Sequence, residues 1–151
     1  MNISRRNFLT DSAVIVCGAM LSPTLQSCSV GKLLYASRNI PVIEGEPLLL
    51  LANEPLLRNV GGAVKKRFSV INNGDVILII RLSEKEFVAY AAQCTHMGAE
   101  VGAPVNNVMT CPFHGSQYNA ANGAVMKGPA EEPLQQFTVL FDEVKQELRI
   151  Q

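Results

Sequence analysis

From about residue 40 onward, short apolar runs alternate with turn residues, and no stretch keeps a helical period long enough for a sustained helix. Pro41-Val42-Ile43 and Leu48 to Leu51 read as strands, with Gly45 and Pro47 around the turn between them. Ala63 to Ile71 and the isoleucine-rich Val76 to Leu82 flank Asn72-Asn73-Gly74-Asp75, and an Asn-Gly step between two apolar runs is a strong hairpin signal. Phe87 to Ala92 predicts a further strand that delivers the chain to Cys94. Near the end, Phe137, Val139 and Phe141 alternate with Thr138 and Leu140, and Val144 to Ile150 follows Asp142-Glu143, the pattern of a hairpin with one buried face. The expectation is an all-β domain over 40–151, an antiparallel sandwich or barrel of about eight to ten short strands.

Between Cys94 and Pro133 the pattern changes. Glycine, proline and asparagine crowd the segment, from Gly98 and Gly102 through Pro112 and Gly115 to Gly128 and Pro129. Loops of that composition on a rigid β scaffold are where function usually sits, so 94–130 is the candidate functional subdomain. Both histidines of the chain, His96 and His114, lie in it.

The first residues have a different character. Arg5-Arg6 followed by Phe8 and Leu9 resembles a twin-arginine export signal, and an apolar core runs on to Leu25 with Pro23 inside it. That core is shorter than the roughly twenty residues a membrane-spanning helix needs, which favours a signal peptide over an anchor. Leu25-Gln26-Ser27-Cys28 resembles a lipobox, so 1–28 is expected to be a signal with Cys28 as a candidate lipid site, and 29–39 a tether. The implied location is outside the cytoplasmic membrane, on the periplasmic side of a bacterial membrane.

Charge adds mainly an exclusion. Thirteen basic and thirteen acidic residues balance, which leaves no electrostatic case for a nucleic-acid partner. The run Lys65-Lys66-Arg67 reads most simply as a solvated strand end, with a docking patch for an acidic redox partner as the alternative.

Of four cysteines, Cys17 falls in the signal core and Cys28 at its end, so only Cys94 and Cys111 remain for the domain. Each is paired with a histidine: Cys94 and His96 as CxH, then Cys111 and His114 as CxxH. A disulfide would leave those pairings without a purpose, whereas two thiolates and two imidazoles are a metal-binding set. Common zinc patterns take CxxC from one turn and two histidines from a helix, while mixed loops suit a 2Fe-2S cluster with cysteines on one iron and histidines on the other. A structural zinc module that binds partners stays open as the alternative.

The paired loops, CTHMG at 94–98 and CPFHGSQY at 111–118, resemble those of the Rieske iron-sulfur family. The resemblance implies a Rieske-type antiparallel fold with one 2Fe-2S cluster held by Cys94, His96, Cys111 and His114. It implies Ser116 and Tyr118 as hydroxyl donors to a bridging sulfide and to a ligand sulfur, and Gly128-Pro129-Ala130 as a loop covering the cluster. Quinol-oxidising members carry two further cysteines that bridge the loops; Ala99 and Phe113 stand at those positions, so no bridge can form, and Phe113 is expected to shield apolar surface instead.

The function so implied is one-electron transfer, as an exported, membrane-associated subunit rather than an enzyme on its own. The host would be a quinol-oxidising complex or a periplasmic oxidoreductase. Redox proteins such as a cytochrome or a molybdenum-type oxidoreductase are the expected partners, with quinol as a candidate. A ferredoxin-type carrier for an oxygenase is the alternative within the family.

Overall fold

The structure is a computed structural model that describes residues 40–151. The expected export signal, Cys28 and the tether lie outside the described residues. Eleven strands follow one another: β1 (Val42–Ile43), β2 (Leu48–Leu50), β3 (Ala63–Phe68), β4 (Val76–Arg81), β5 (Phe87–Ala91), β6 (Val108–Thr110), β7 (Gln117–Asn119), β8 (Val125–Lys127), β9 (Gln136–Phe137), β10 (Val139–Asp142) and β11 (Glu147–Ile150). They form three sheets, ordered β1-β3-β4-β5-β9, β10-β11-β2 and β6-β7-β8. All pairings are antiparallel except β1 with β3. The all-β, antiparallel expectation holds.

The five-stranded sheet is the centre because its middle strands are apolar on both faces. Val76, Leu78 and Ile80 of β4, with Val88 and Tyr90 of β5, join one core with Met109, Tyr118 and Ala120 of the small sheet region. Ile77 and Ile79, with Phe87, Ala89 and Ala91, join the other core with Leu49, Leu148 and Ile150. An uninterrupted apolar run, rather than alternation, marks a strand covered on both sides, and each such side chain contributes about 1.5–3 kcal/mol by burial.

Several boundaries differ from expectation. β3 stops at Phe68, and the chain turns through Ser69 and exposed Val70 before Asn72, Asn73 and Gly74 take left-handed backbone angles into β4. Val144 is no strand residue: it is 95% exposed at a hairpin tip, where Asp142 Oδ1 accepts the N–H of both Val144 and Lys145. Phe137 pairs with Ala89 in the central sheet while Val139 pairs with Ile150 in the other, so the alternating C-terminal run is divided between two sheets. The strand count exceeds expectation because the glycine-rich segment carries β6 to β8. The basic run is no solvated end: Lys65 pairs with Glu100, Lys66 with Glu54, and Arg67 Nε donates to the Gly74 carbonyl.

Tyr90 joins the central sheet to the small one. Its ring lies where a Cβ on Gly123 would come within 2.9 Å, and its hydroxyl donates to the Ala120 carbonyl at 3.2 Å. Burial pushes its phenol up to about 12 from 10.0. Between those two values the unfolded chain loses the proton and the folded one keeps it. Stability is therefore undiminished by this group below pH 10 and is lost progressively as the pH rises to about 12. Urea unfolding of the wild type and Tyr90→Phe at about pH 9 and about pH 11.5 should show a smaller alkaline loss in the variant. Burial also raises the Tyr118 phenol, so part of the loss should remain.

Candidate metal centre

β5 ends at Ala91, and the next turn begins at Cys94; the second turn, from Cys111, joins β6 to β7. The two turns close in the same way. Cys94 N–H donates to the Ala99 carbonyl at 2.7 Å, and Gly98 N–H to the Cys94 carbonyl at 2.7 Å. Cys111 N–H donates to the Ser116 carbonyl at 2.8 Å, and Gly115 N–H to the Cys111 carbonyl at 3.0 Å. The fifth residue of each turn is a glycine with φ 73° at Gly98 and 74° at Gly115. A Cβ would meet nothing within 4 Å at either, so backbone angle and not crowding selects glycine there.

This shared frame accounts for the unequal spacing CxH and CxxH. His96 occupies the third position of its turn and His114 the fourth of its own. Phe113 thus stands where the first turn has its histidine, and Met97 where the second has its own. The imidazoles meet edge to face, ring centroids 4.9 Å apart at 85°. The Phe113 ring lies 6.3 Å from that of His114 and is 69% exposed, and Met97 is 72% exposed. Phe113, expected to shield apolar surface, itself lies largely exposed on the rim beside the imidazoles.

Beneath the imidazoles both thiols are buried, and neither is in a disulfide. Burial pushes the Cys94 thiol up, but hydrogen bonds from the Tyr118 hydroxyl, the His96 N–H, Cys111 and Ser116 outweigh it and leave it below its ordinary value. Cys111 goes the other way: burial raises it beyond what the Phe113 and His114 N–H groups recover, and Cys94 adds to the rise. Binding a metal as thiolate would displace the proton of Cys111.

Both motif hydroxyls have partners in the structure. Tyr118 Oη lies 3.2 Å from Cys94 Sγ. Ser116 is fully buried, and its Oγ accepts the Ala130 N–H at 3.0 Å, tying Ala130 to the end of the second turn. A contact that sequence reasoning missed is Lys65, whose Nζ pairs with Glu100 and donates to the Val101 carbonyl at 2.7 Å, fastening the base of the first turn to β3. Its signal was a lysine in mid-strand, where a solvated end has no reason to be.

The donor set fits a two-iron cluster. Among the described residues, no three His, Cys, Asp or Glu side chains converge as holders of a single metal ion. A Rieske cluster needs no such convergence, since its thiol pair and imidazole pair serve different irons.

Comparison with known proteins agrees. The Rieske [2Fe-2S] domain profile matches residues 57–138. The cytochrome b6-f complex iron-sulfur subunit of Gloeobacter violaceus is 35% identical over 111 residues, which cover 70% of this chain and 47% of that protein. The corresponding subunit of a Synechococcus strain is 48% identical over 52 residues, 34% of this chain and 30% of that protein. The chain thus spans about half or less of these relatives. Among solved structures, the plasma membrane Rieske protein of Synechocystis PCC 6803 superposes with a TM-score of 0.50 at 22% identity, covering 59% of this chain and 85% of that one. A chain from the complex of oxygenase and ferredoxin in carbazole 1,9a-dioxygenase gives 0.54 at 22% identity, covering 70% and 94%. At those identities the likeness is one of fold.

Proposed function

The chain belongs to the Rieske [2Fe-2S] domain family and binds one such cluster, and on that premise we propose that it serves electron transfer, and we propose which residues hold the cluster and where it works. Cys94 and Cys111 are the thiolate ligands of one iron, and His96 and His114 the imidazole ligands of the other. The observation that carries this is the pair of exposed imidazoles, edge to face, above a buried thiol pair. When bound, the cluster takes up and releases one electron. Replacing two thiolates by neutral imidazoles makes it easier to reduce, so Rieske potentials run from about −150 to +300 mV against about −400 mV for plant-type ferredoxins.

Around it, this chain's residues do four things. Buried Met109 of β6 and Tyr118 of β7 share one core with both thiols and keep water from them, the N–H groups of the two turns face the sulfurs, Tyr118 places a hydroxyl at Cys94, and the imidazoles form the exit. From Val101 to Met126 the sequence has no charged residue, and Met97 and Phe113 present apolar surface beside the imidazoles. That rim suits a neutral or apolar partner face better than a charged one.

The domain, preceded by a signal over 1–28 and a tether over 29–39, is proposed to act outside the cytoplasmic membrane. It would serve as a subunit of a quinol-oxidising complex or as the partner of a periplasmic oxidoreductase. Attachment through Cys28 or the signal segment would keep it at the membrane; among the described residues, no helix is long and apolar enough to cross one. A second reading, a ferredoxin-type carrier, is favoured by Ala99 and Phe113 standing where a loop-bridging disulfide would be.

A redox titration of the purified protein tests the proposal. A midpoint well above about 0 mV is expected, and a value below about −100 mV would move the assignment to the ferredoxin-type reading. Protein containing zinc and no iron would sink both readings in favour of a structural zinc module.

A further inference from the structure

Tyr118 Oη carries one proton and has more partners than that proton can serve. The Thr95 backbone N–H donates to it at 3.1 Å, while Cys94 Sγ lies at 3.2 Å and Thr95 Oγ1 at 3.0 Å. Thr95 Oγ1 also carries one proton, and that proton is engaged: the Glu132 carbonyl, which can only accept, lies 2.7 Å away. Two hydroxyl protons therefore face three acceptors: the Glu132 carbonyl, Thr95 Oγ1 and Cys94 Sγ. With Thr95 donating to Glu132, the Tyr118 proton is divided between the Thr95 oxygen and the sulfur.

We propose that Thr95 is a positioning residue that weakens the Tyr118 to Cys94 hydrogen bond by competing for its proton, with the Glu132 carbonyl as anchor. This rests on Cys94 being a cluster ligand, as proposed above. A hydrogen bond to a ligand sulfur favours the reduced cluster, because the sulfur becomes more negative on reduction. Sharing the proton holds the potential below what an undivided bond would give. The segment 128–132 thus acts on the site in two opposite senses. At Ser116 it supplies a donor, the Ala130 N–H, which leaves the serine proton available to sulfur. At Thr95 it supplies an acceptor, which turns the threonine oxygen toward the tyrosine proton.

The test is a double-mutant cycle read as midpoint potential in the cluster-loaded protein. Thr95→Val keeps the shape and the backbone N–H but removes the competing oxygen, so its potential should rise. Thr95→Ser, which keeps the hydroxyl, should stay at the wild-type value. Tyr118→Phe should lower the potential, and adding Thr95→Val to it should change nothing further, since no proton remains to be redirected. A fall in Thr95→Val, or a shift that persists in the Tyr118→Phe background, overturns the proposal. So does loss of the cluster from both Thr95→Val and Thr95→Ala, which would mean that the hydroxyl only holds the turn closed. Failure of the ligand assignment is seen separately, as a cluster retained by Cys94→Ala.

Discussion

Replacing Cys111 with alanine is expected to leave a protein that purifies without iron and without visible absorption, whereas Phe113→Ala, two residues away, keeps both. Cys111 is buried and receives the N–H groups of Phe113 and His114 at its sulfur, so the site is built around that atom. Alanine cannot bind iron, and burial keeps solvent from replacing the lost ligand; three remaining donors cannot complete the two irons. Phe113 contributes no ligand and little buried area, being 69% exposed, and surface changes of that kind fall within about 0.5 kcal/mol. Iron analysis and the absorption spectrum separate the two outcomes. A coloured, iron-loaded Cys111→Ala protein would remove Cys111 from the ligand set, and loss of colour in Phe113→Ala would return that ring to a packing role.

Gly62→Ala, in the turn just before β3, should strongly destabilise the protein. A Cβ at Gly62 would come 1.8 Å from the Leu56 carbonyl oxygen and 2.9 Å from that of Asn59. Both are backbone atoms, so no side-chain rotation relieves the contact. The surrounding turn has little freedom: Gly62 N–H donates to Asn59 at 3.0 Å, and Arg81 N–H donates to the Gly62 carbonyl at 2.9 Å. The Arg81 side chain also holds the Leu57 and Arg58 carbonyls, at 3.1 and 2.9 Å. Overpacking in places that can relax costs about 1–3 kcal/mol, and here the loss should exceed about 3 kcal/mol. Neighbouring Gly61 is the control, with φ 82° and open space where a Cβ would go. Its change to alanine should cost only the left-handed backbone penalty of about 1–2 kcal/mol. Equal losses for the two in urea unfolding would mean that crowding at Gly62 is relieved by a shift of the turn.

Much of the site was legible because its chemistry is concentrated in few residues. Two cysteines and two histidines shared between two glycine-bearing turns admit few chemical uses, and the structure sets the imidazoles edge to face and both thiols in one buried core. The hairpin at Asn72 to Asp75 was equally plain, since three successive left-handed angles there call for asparagine and glycine. Less legible was whatever depended on a distant partner. Lys65 reads as surface charge until Glu100 is found across from it, 35 residues on. Phe113 reads as packing until the turn that carries it is seen to face solvent. Val108 to Thr110 and Val125 to Lys127 are too short to assert a period, and they become strands only by pairing with Gln117 to Asn119.

The sequence by itself determined the all-β class and the pairing of each domain cysteine with a histidine, because residue identity and local spacing decide both. Only the tertiary structure decided that the two turns share one hydrogen-bonded frame, that β4 and β5 are covered on both faces, and that one tyrosine hydroxyl lies within reach of both a threonine hydroxyl and a sulfur. Those properties are made by atoms far apart in the chain, and no local pattern encodes which of them will meet.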